Sequence, residues 1–227
     1  MTKLAHRLGL SQALSFTDVY SLTDPDLLAI VPRPCSALLF IAPETPDLIQ
    51  IRIDEDKDQQ SYTGAGADQP VIWFRQTIRH ACGLIGLLHG IMNDSAADFI
   101  QPNSDLHKLR DGIIPLQPVD RAKLLYDSEM LERVHAEAAQ MGDTVAPDAM
   151  TYNDGHAFIA YVKGRDGHLY ELEGRRKGPV DRGLMEKDED VLSEAALKMG
   201  PLRFVARQEQ RGKGLQFSCI ALGPSLE

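Results

Sequence analysis

The sequence predicts an α+β fold in which helices cover the faces of a central sheet. Three observations support this prediction. The apolar residues of 84–92 fall at helical spacing and run almost unbroken, which is typical of a buried helix. Residues 36–42 form a continuous apolar run of strand length, as expected for a strand covered on both faces. Residues 158–162 and 169–172 flank a turn that contains two glycines, which indicates a β-hairpin.

The remaining elements follow from periodicity and from the residues that begin and end helices. Residues 118–141 are predicted to form one amphipathic helix, because apolar side chains recur near every 3.6 positions with charges between them. Residues 49–53 alternate apolar and polar side chains, which is typical of a strand with one wet face. Further helices are predicted over residues 4–14, 26–30, 104–110 and 188–199, and a closing strand over residues 215–222.

The chain length and composition are those of one globular domain, which we expect to span residues 1–227. Two segments lack periodicity and are predicted to be loops, namely residues 54–69 and residues 142–155. The second segment contains three aspartates, and a loop of this length between regular elements is more often functional or disordered than idle.

The formal net charge of −9 disfavours a nucleic-acid partner, whose phosphates require a basic surface. It suits a partner with a basic tail, although an excess of carboxylates is also a common means of staying soluble. No apolar run is long enough to span a bilayer, and no signal peptide opens the chain. Three cysteines without metal-like spacing favour a reducing compartment. We therefore expect a protein of the cytosol or nucleus without membrane contact, metal or cofactor.

Cys82 opens the predicted buried helix. The unpaired amides and the dipole at a helix N-terminus favour an anion, and the thiolate is the nucleophilic form of cysteine. Gln76, six positions upstream, is close enough for its carboxamide to turn back beside the sulfur. These groups could attack a carbonyl and hold the resulting oxyanion. The alternative is that Cys82 is a small apolar core residue, which is the usual role of a free cysteine.

Taken together, three sequence motifs favour the catalytic interpretation of Cys82 over a structural one. Residues 76–89 contain Gln-Thr-Ile-x-x-Ala-Cys-Gly followed by Ile-Gly-Leu-Leu-His. This segment resembles the active-site segment of the ubiquitin C-terminal hydrolases, thiol peptidases that cut after the last glycine of ubiquitin. Residues 18–41 resemble the N-terminal portion of that family, and residues 166–175 resemble the hairpin that carries its catalytic acid. The resemblance extends in order over residues 10–222.

The resemblance implies a papain-like cysteine-peptidase fold, with a mostly antiparallel sheet, a knotted backbone and a crossover loop over the active site at residues 142–155. It implies that Cys82 is the nucleophile, His156 the base, Glu173 the orienting acid and Gln76 an oxyanion donor. The expected partner is ubiquitin or a ubiquitin-like protein, bound by a monomer. An acidic groove would suit the arginines of the ubiquitin tail.

Three features depart from the family pattern. His156 is separated from the aromatic residue Phe158 by Ala157, whereas the family histidine directly precedes its aromatic residue. If Phe158 keeps its register, Ala157 takes the place of the base and the site is inactive. A bulge at residues 155–157 would instead turn His156 into the cleft. Glu173 stands where the family has an aspartate, and the usual strand before the first helix is missing.

Three functions therefore remain open from the sequence. The first is a ubiquitin C-terminal hydrolase, for which the short chain favours small leaving groups. The second is a catalytically silent protein that binds ubiquitin. The third is a thiol acyltransferase or amidase that acts on a small molecule. We favour the hydrolase because Gln76 and Cys82 are both present, and a chain used for binding alone has no evident need for either.

Overall fold

The computed structural model describes residues 1–79, 81–140, 155–210 and 216–226, without the side chains of residues 138–140 and 210. The helices are α1 Thr2–Leu8, α2 Pro25–Ala29, α3 Pro46–Asp56, α4 Cys82–Ile91, α5 Asp105–Ile113, α6 Pro118–Tyr126, α7 Glu129–Gln140, α8 Glu194–Met199 and α9 Pro201–Gln210, with a 3₁₀ helix at Asp94–Phe99. The strands are β1 Leu14–Asp18, β2 Ala37–Pro43, β3 His156–Lys163, β4 His168–Leu172, β5 Val180–Leu184 and β6 Ser218–Pro224.

The six strands form one sheet in the order β1-β6-β2-β3-β4-β5, and every neighbouring pair is antiparallel. The predicted α+β class with a mostly antiparallel sheet is confirmed. Strand β2 lies between β6 and β3. Its first four residues are all buried, because both faces of the sheet are covered there. The prediction of a doubly covered strand at residues 36–42 is therefore also confirmed.

Each face of the sheet carries its own hydrophobic cluster, and β3 contributes to both by alternation. Ala160 and Val162 belong to the cluster that contains helix α4. Ile159 and Tyr161 belong to the opposite cluster, with residues of α3, α8 and α9. Any residue of β3 can therefore be assigned to the α4 face or to the α3 face from its position.

The strand predicted at residues 49–53 was wrong, because this stretch lies inside helix α3. The helix begins where the Thr45 hydroxyl accepts a hydrogen bond from the Leu48 amide at 3.2 Å, with Pro46 in the first turn. Leu48 and Arg52, one helical turn apart, are buried, whereas Ile49 is exposed. The alternation of apolar and polar residues suggested a strand because Arg52, which is buried, was counted as a solvent-facing residue.

The single helix predicted over residues 118–141 is two helices, α6 and α7, separated at Asp127 and Ser128. Ser128 begins the second helix, since its hydroxyl accepts a hydrogen bond from the Leu131 amide at 3.3 Å. Leu125 and Leu131, on either side of the break, are both buried. The apolar period continued across the break, so the pattern alone did not reveal the capping serine.

Two other predicted helices were too long. The helix predicted over residues 4–14 ends at Gly9, whose φ of 117° is the left-handed conformation that glycine adopts without strain, and β1 follows. The helix predicted over residues 188–199 begins only after Ser193, which caps α8 by accepting from the Ala196 amide at 3.1 Å.

Two strands and one helix were not predicted, namely β1, β5 and α9. The predicted loop 142–155 lies outside the described residues except for Gly155. Among the described residues, no helix is both long enough and apolar enough to cross a membrane.

Candidate active site

Cys82 is the first residue of α4 and is half-buried. Burial raises the pKa of its thiol, and the carboxylate of Glu44 raises it further. The backbone amides of Gly83 and Cys82 and the guanidinium of Arg175 act in the opposite direction. The net shift is upward, so the helix N-terminus by itself does not favour the thiolate of Cys82. A base is therefore needed to ionise Cys82.

Helix α4 and strand β3 run in the same direction and lie close together. A Cβ built on Gly86 would lie 3.1 Å from the Cβ of Phe158. A Cβ built on Gly90 would lie 3.3 Å from that of Ala37, whose cross-strand partner is Val162. Glycine allows this close approach at both positions, since a side chain at either would press on a Cβ of the sheet.

This packing places His156 level with Cys82. From Gly86 back to Cys82, four helical residues cover about 6 Å. From Phe158 back to His156, two strand residues cover about 6.6 Å in the same direction. His156 shares the α4 face with Phe158, because the two are separated by an even number of positions. The side chain of His156 is exposed at the beginning of β3.

Ala157 does not take the place of the base. Its side chain is 2% exposed and belongs to the cluster on the α3 face, away from Cys82. Nor does a bulge turn His156. Strand β3 pairs with β2 without a register shift, from Ala37 opposite Val162 to Pro43 opposite His156. Ordinary alternation keeps His156 and Phe158 on one face, which neither of the two alternatives drawn from the sequence had considered.

Glu173 follows the last residue of β4, and its side chain is 3% exposed. Burial raises the pKa of its carboxyl. The Glu173 carboxylate lies 3.1 Å from the guanidinium of Arg52 on α3. Its backbone carbonyl accepts a hydrogen bond of 3.1 Å from the indole of the buried Trp73. Within the described part of the chain, neither Glu173 nor Cys82 is hydrogen-bonded to His156.

Gln76 is hydrogen-bonded to the residue that follows Glu173. Its backbone amide donates to the carbonyl of Gly174 at 2.8 Å. Its carboxamide donates to the carbonyl of Ile78 at 3.3 Å. The structure thus brings Gln76 next to residues 173–175, in agreement with a common site, while the carboxamide is engaged with its own segment.

Three charged residues near Cys82 were not predicted. Arg175 and Glu44 form an ion pair, and both act electrostatically on the Cys82 thiol. Arg52 bridges Glu44, at 3.0 Å, and Glu173. Arg175 belongs to the motif that resembles the family hairpin, so that signal was available. Glu44 and Arg52 carried no usable signal, because the stretch that contains Arg52 was predicted to be a strand.

Two further cysteines can be set aside as nucleophiles. Cys35 and Cys219 are each no more than 3% exposed. Burial raises the pKa of each thiol to about 12. Burial therefore disfavours the thiolate of both, which leaves Cys82 as the candidate nucleophile.

Comparisons with known proteins show the family of the chain. The family described as "Ubiquitin carboxyl-terminal hydrolase, family 1" matches residues 1–200. The chain belongs to this family. A ubiquitin carboxyl-terminal hydrolase of Aplysia californica is 33% identical over 188 residues, which are 83% of each chain. YUH1 of Saccharomyces cerevisiae is 29% identical over 235 residues, 100% of this chain and 92% of that protein. The human isozyme L1 is 32% identical over 98% of this chain and 93% of its own length.

A solved structure shares the fold. The catalytic domain of Trichinella spiralis UCH37, bound to ubiquitin vinyl methyl ester, superposes with a TM-score of 0.69 over 99% of this chain and 90% of its own, at 18% identity. The likeness over nearly the whole chain agrees with the six-stranded antiparallel sheet and its helices. Membership of the ubiquitin carboxyl-terminal hydrolase family, expected from the residue motifs, is confirmed.

Proposed function

We propose that this chain is a thiol-dependent ubiquitin C-terminal hydrolase. Cys82 is the nucleophile, His156 the general base and acid, Glu173 the orienting acid, and Gln76 with the Cys82 amide the oxyanion site. The observation that supports this assignment best is the position of His156. Its position on the face of β3 that α4 covers, level with the start of α4 by the spacing along both elements, supports a common site with Cys82.

The chemistry follows from these groups. The imidazole of His156 takes the proton of the Cys82 thiol, and the sulfur attacks the carbonyl carbon of the last glycine of ubiquitin. The negative oxygen formed in this step receives hydrogen bonds from Gln76 and the Cys82 amide. His156 then gives its proton to the departing amine, and a thioester remains. Water, deprotonated by His156, cleaves the thioester and restores the thiol.

The base must approach the sulfur before reaction. In the described part of the chain no hydrogen bond or ion pair holds the exposed His156 ring, so rotation about its Cα–Cβ bond can present it to Cys82. Because burial keeps the Cys82 pKa high, the thiol remains protonated until this happens. Arg175 supports the thiolate once it forms, since its guanidinium lowers the pKa of Cys82.

The proposed substrate is the tail of ubiquitin or of a ubiquitin-like protein, whose arginines suit a chain of formal net charge −9. The Trichinella spiralis relative is bound to ubiquitin vinyl methyl ester, which supports the same class of partner here. We further propose that the chain acts as a single-domain monomer of the cytosol or nucleus, with a crossover loop at residues 142–155.

Reaction with ubiquitin vinyl methyl ester tests the proposal. We expect one covalent adduct per chain, located on Cys82 by peptide mass spectrometry. Cys82→Ala should abolish the adduct, and Cys219→Ala, which alters a buried cysteine on the other face, should retain it. His156→Gln should slow turnover of a ubiquitin amide by at least about a hundredfold, the usual contribution of a general base.

The same experiment separates the two alternatives. A folded chain that binds ubiquitin but forms no adduct would be a silent binding protein. A chain that alkylates readily with a small reagent yet neither binds nor reacts with ubiquitin would be an enzyme for a small acyl substrate. Either result would overturn the hydrolase assignment.

A further inference from the structure

A cavity lies at the end of α4 that is remote from Cys82. Its volume is about 320 Å³, and its wall includes Met92 and Asn93. The ten residues of α4 place it about 15 Å from the start of the helix. It is therefore separate from Cys82 and His156, and none of the proposed catalytic residues lines it.

Four charged side chains line this cavity, in two pairs of like sign. They are Arg110, Arg165, Asp94 and Asp98. Arg110 and Arg165 are close enough that Arg165 lowers the pKa of Arg110, together with the larger effect of burial. Asp98 likewise raises the pKa of Asp94, where burial is again the larger cause. One cavity thus carries a positive and a negative region.

The two regions attract each other only at a distance, since Asp98 raises the pKa of Arg110. Among the described residues, none of the four side chains forms an ion pair within 4.0 Å. The Nε atom of Arg110 is buried without a hydrogen-bond partner. A buried donor of a charged group without a partner is costly, and a ligand that supplied an acceptor would remove this cost.

The cavity is also preformed. The amide of Gly66 donates to the carbonyl of Ile114 at 2.8 Å, which holds the loop of residues 57–69 against α5. The guanidinium of Arg165 donates to the carbonyl of Ala67 at 2.6 Å. On the other wall, Asn93 accepts a hydrogen bond from the Ile72 amide at 2.6 Å. A ligand would therefore meet groups that are already fixed.

We propose that this cavity binds a small zwitterion, an amino acid or a dipeptide. Its carboxylate would lie between Arg110 and Arg165, and its ammonium group would lie beside Asp94 and Asp98. An anion alone would leave the aspartates facing it, and a cation alone would leave the arginines unpaired. A ligand with both charges satisfies both regions, and the volume has room for two residues.

Titration calorimetry with three probes tests the proposal on the full chain. The probes are alanylalanine, its N-acetyl derivative and its amide, which carry both charges, only the negative charge and only the positive charge. We expect alanylalanine to bind at least about tenfold more tightly than either derivative, as loss of a charge-assisted hydrogen bond requires. Equal binding of the acetyl derivative, or no binding of any probe at millimolar concentration, would overturn it.

Variants locate the site. Arg110→Gln and Arg165→Gln should each weaken binding of alanylalanine by about tenfold or more. Arg133→Gln, an exposed arginine on α7 with the same change of charge, should leave it unchanged. Arg165 is exposed, so this variant keeps the fold even where the change at the half-buried Arg110 does not. Unchanged affinity in folded Arg165→Gln would place the probe elsewhere and reject the cavity.

Discussion

The guanidinium of Arg52 lies 3.1 Å from the carboxylate of Glu173 and 3.0 Å from that of Glu44. The Arg52 guanidinium and the Glu173 carboxylate attract each other as opposite charges, but their geometry is not that of a hydrogen bond. Arg52 is 9% exposed and Glu173 is 3% exposed, so water does little to stabilise either charge. One arginine of α3 therefore offsets two carboxylates next to the proposed catalytic cysteine.

Replacement of this arginine should destabilise the whole fold. In Arg52→Met, Glu44 keeps Arg175 as a partner but Glu173 loses its only ion pair among the described residues. Breaking a buried pair typically costs about 3–5 kcal/mol of the free energy of unfolding. Urea denaturation measures this loss, with Arg133→Met on the exposed surface of α7 as the control. A loss below about 1 kcal/mol would show that the pair behaves as an exposed one.

The register of β3 can be tested by exchanging two neighbours. The double variant His156→Ala, Ala157→His keeps the composition and moves the imidazole by one position. Because the side chain of Ala157 lies on the α3 face, the moved histidine should point away from Cys82 and turnover should not recover. The rate of hydrolysis of a ubiquitin amide, compared with His156→Ala alone, is the measurement. Recovery above the single variant would mean that residue 157 faces the cysteine.

Arg175 should control the reactivity of the Cys82 thiol. Its guanidinium lowers the pKa of Cys82, while burial and Glu44 raise it. Arg175→Gln removes the positive charge and leaves Glu44 with Arg52 as its ion-pair partner, so the pKa should rise and the thiolate fraction at neutral pH should fall.

The rate of alkylation by iodoacetamide, followed against pH, reports this change. The midpoint should move to higher pH in Arg175→Gln and stay in place in Arg133→Gln. A midpoint that moved to lower pH would contradict this prediction, because it would mean that Arg175 does not favour the thiolate of Cys82.

The fold should lose stability in acid as Glu55 becomes protonated. Partial burial would raise the pKa of this carboxyl, but Arg182 and Arg176 lower it to about 2. A carboxyl with a folded pKa below its ordinary 4.5 stabilises the fold above pH 4.5. This contribution is lost as the pH falls from 4.5 toward 2, because the carboxyl takes up a proton first in the unfolded chain.

The variant Glu55→Gln lacks this contribution. It should be less stable than the parent chain at neutral pH, and the difference in the free energy of unfolding should shrink as the pH falls toward 2. Urea denaturation at a series of pH values gives this difference, with the exposed Glu129→Gln as the matched control. A difference that stayed constant with pH would contradict the ionised state of Glu55.

The elements that were predicted correctly are those whose signals are local. The buried helix at Cys82 shows in its apolar run, the β3–β4 hairpin in its turn glycines, and the central strand β2 in its length and composition. The errors at residues 49–53 and 118–141 have another origin. Arg52 is buried by ion pairs with distant residues, and Ser128 interrupts a helix whose apolar period continues. Neither effect is visible in local periodicity.

By itself, the sequence determined the α+β class, the family and the cysteine that opens the buried helix, because these follow from composition, spacing and contiguous motifs. Only the tertiary structure decided that His156 shares the face of Cys82, that Ala157 lies on the other side, and that Glu173 is paired with Arg52. The reason is physical. The face of a strand residue is fixed by pairing and by the helix that packs on it, and the ionisation of a buried group is fixed by charges brought from distant parts of the chain.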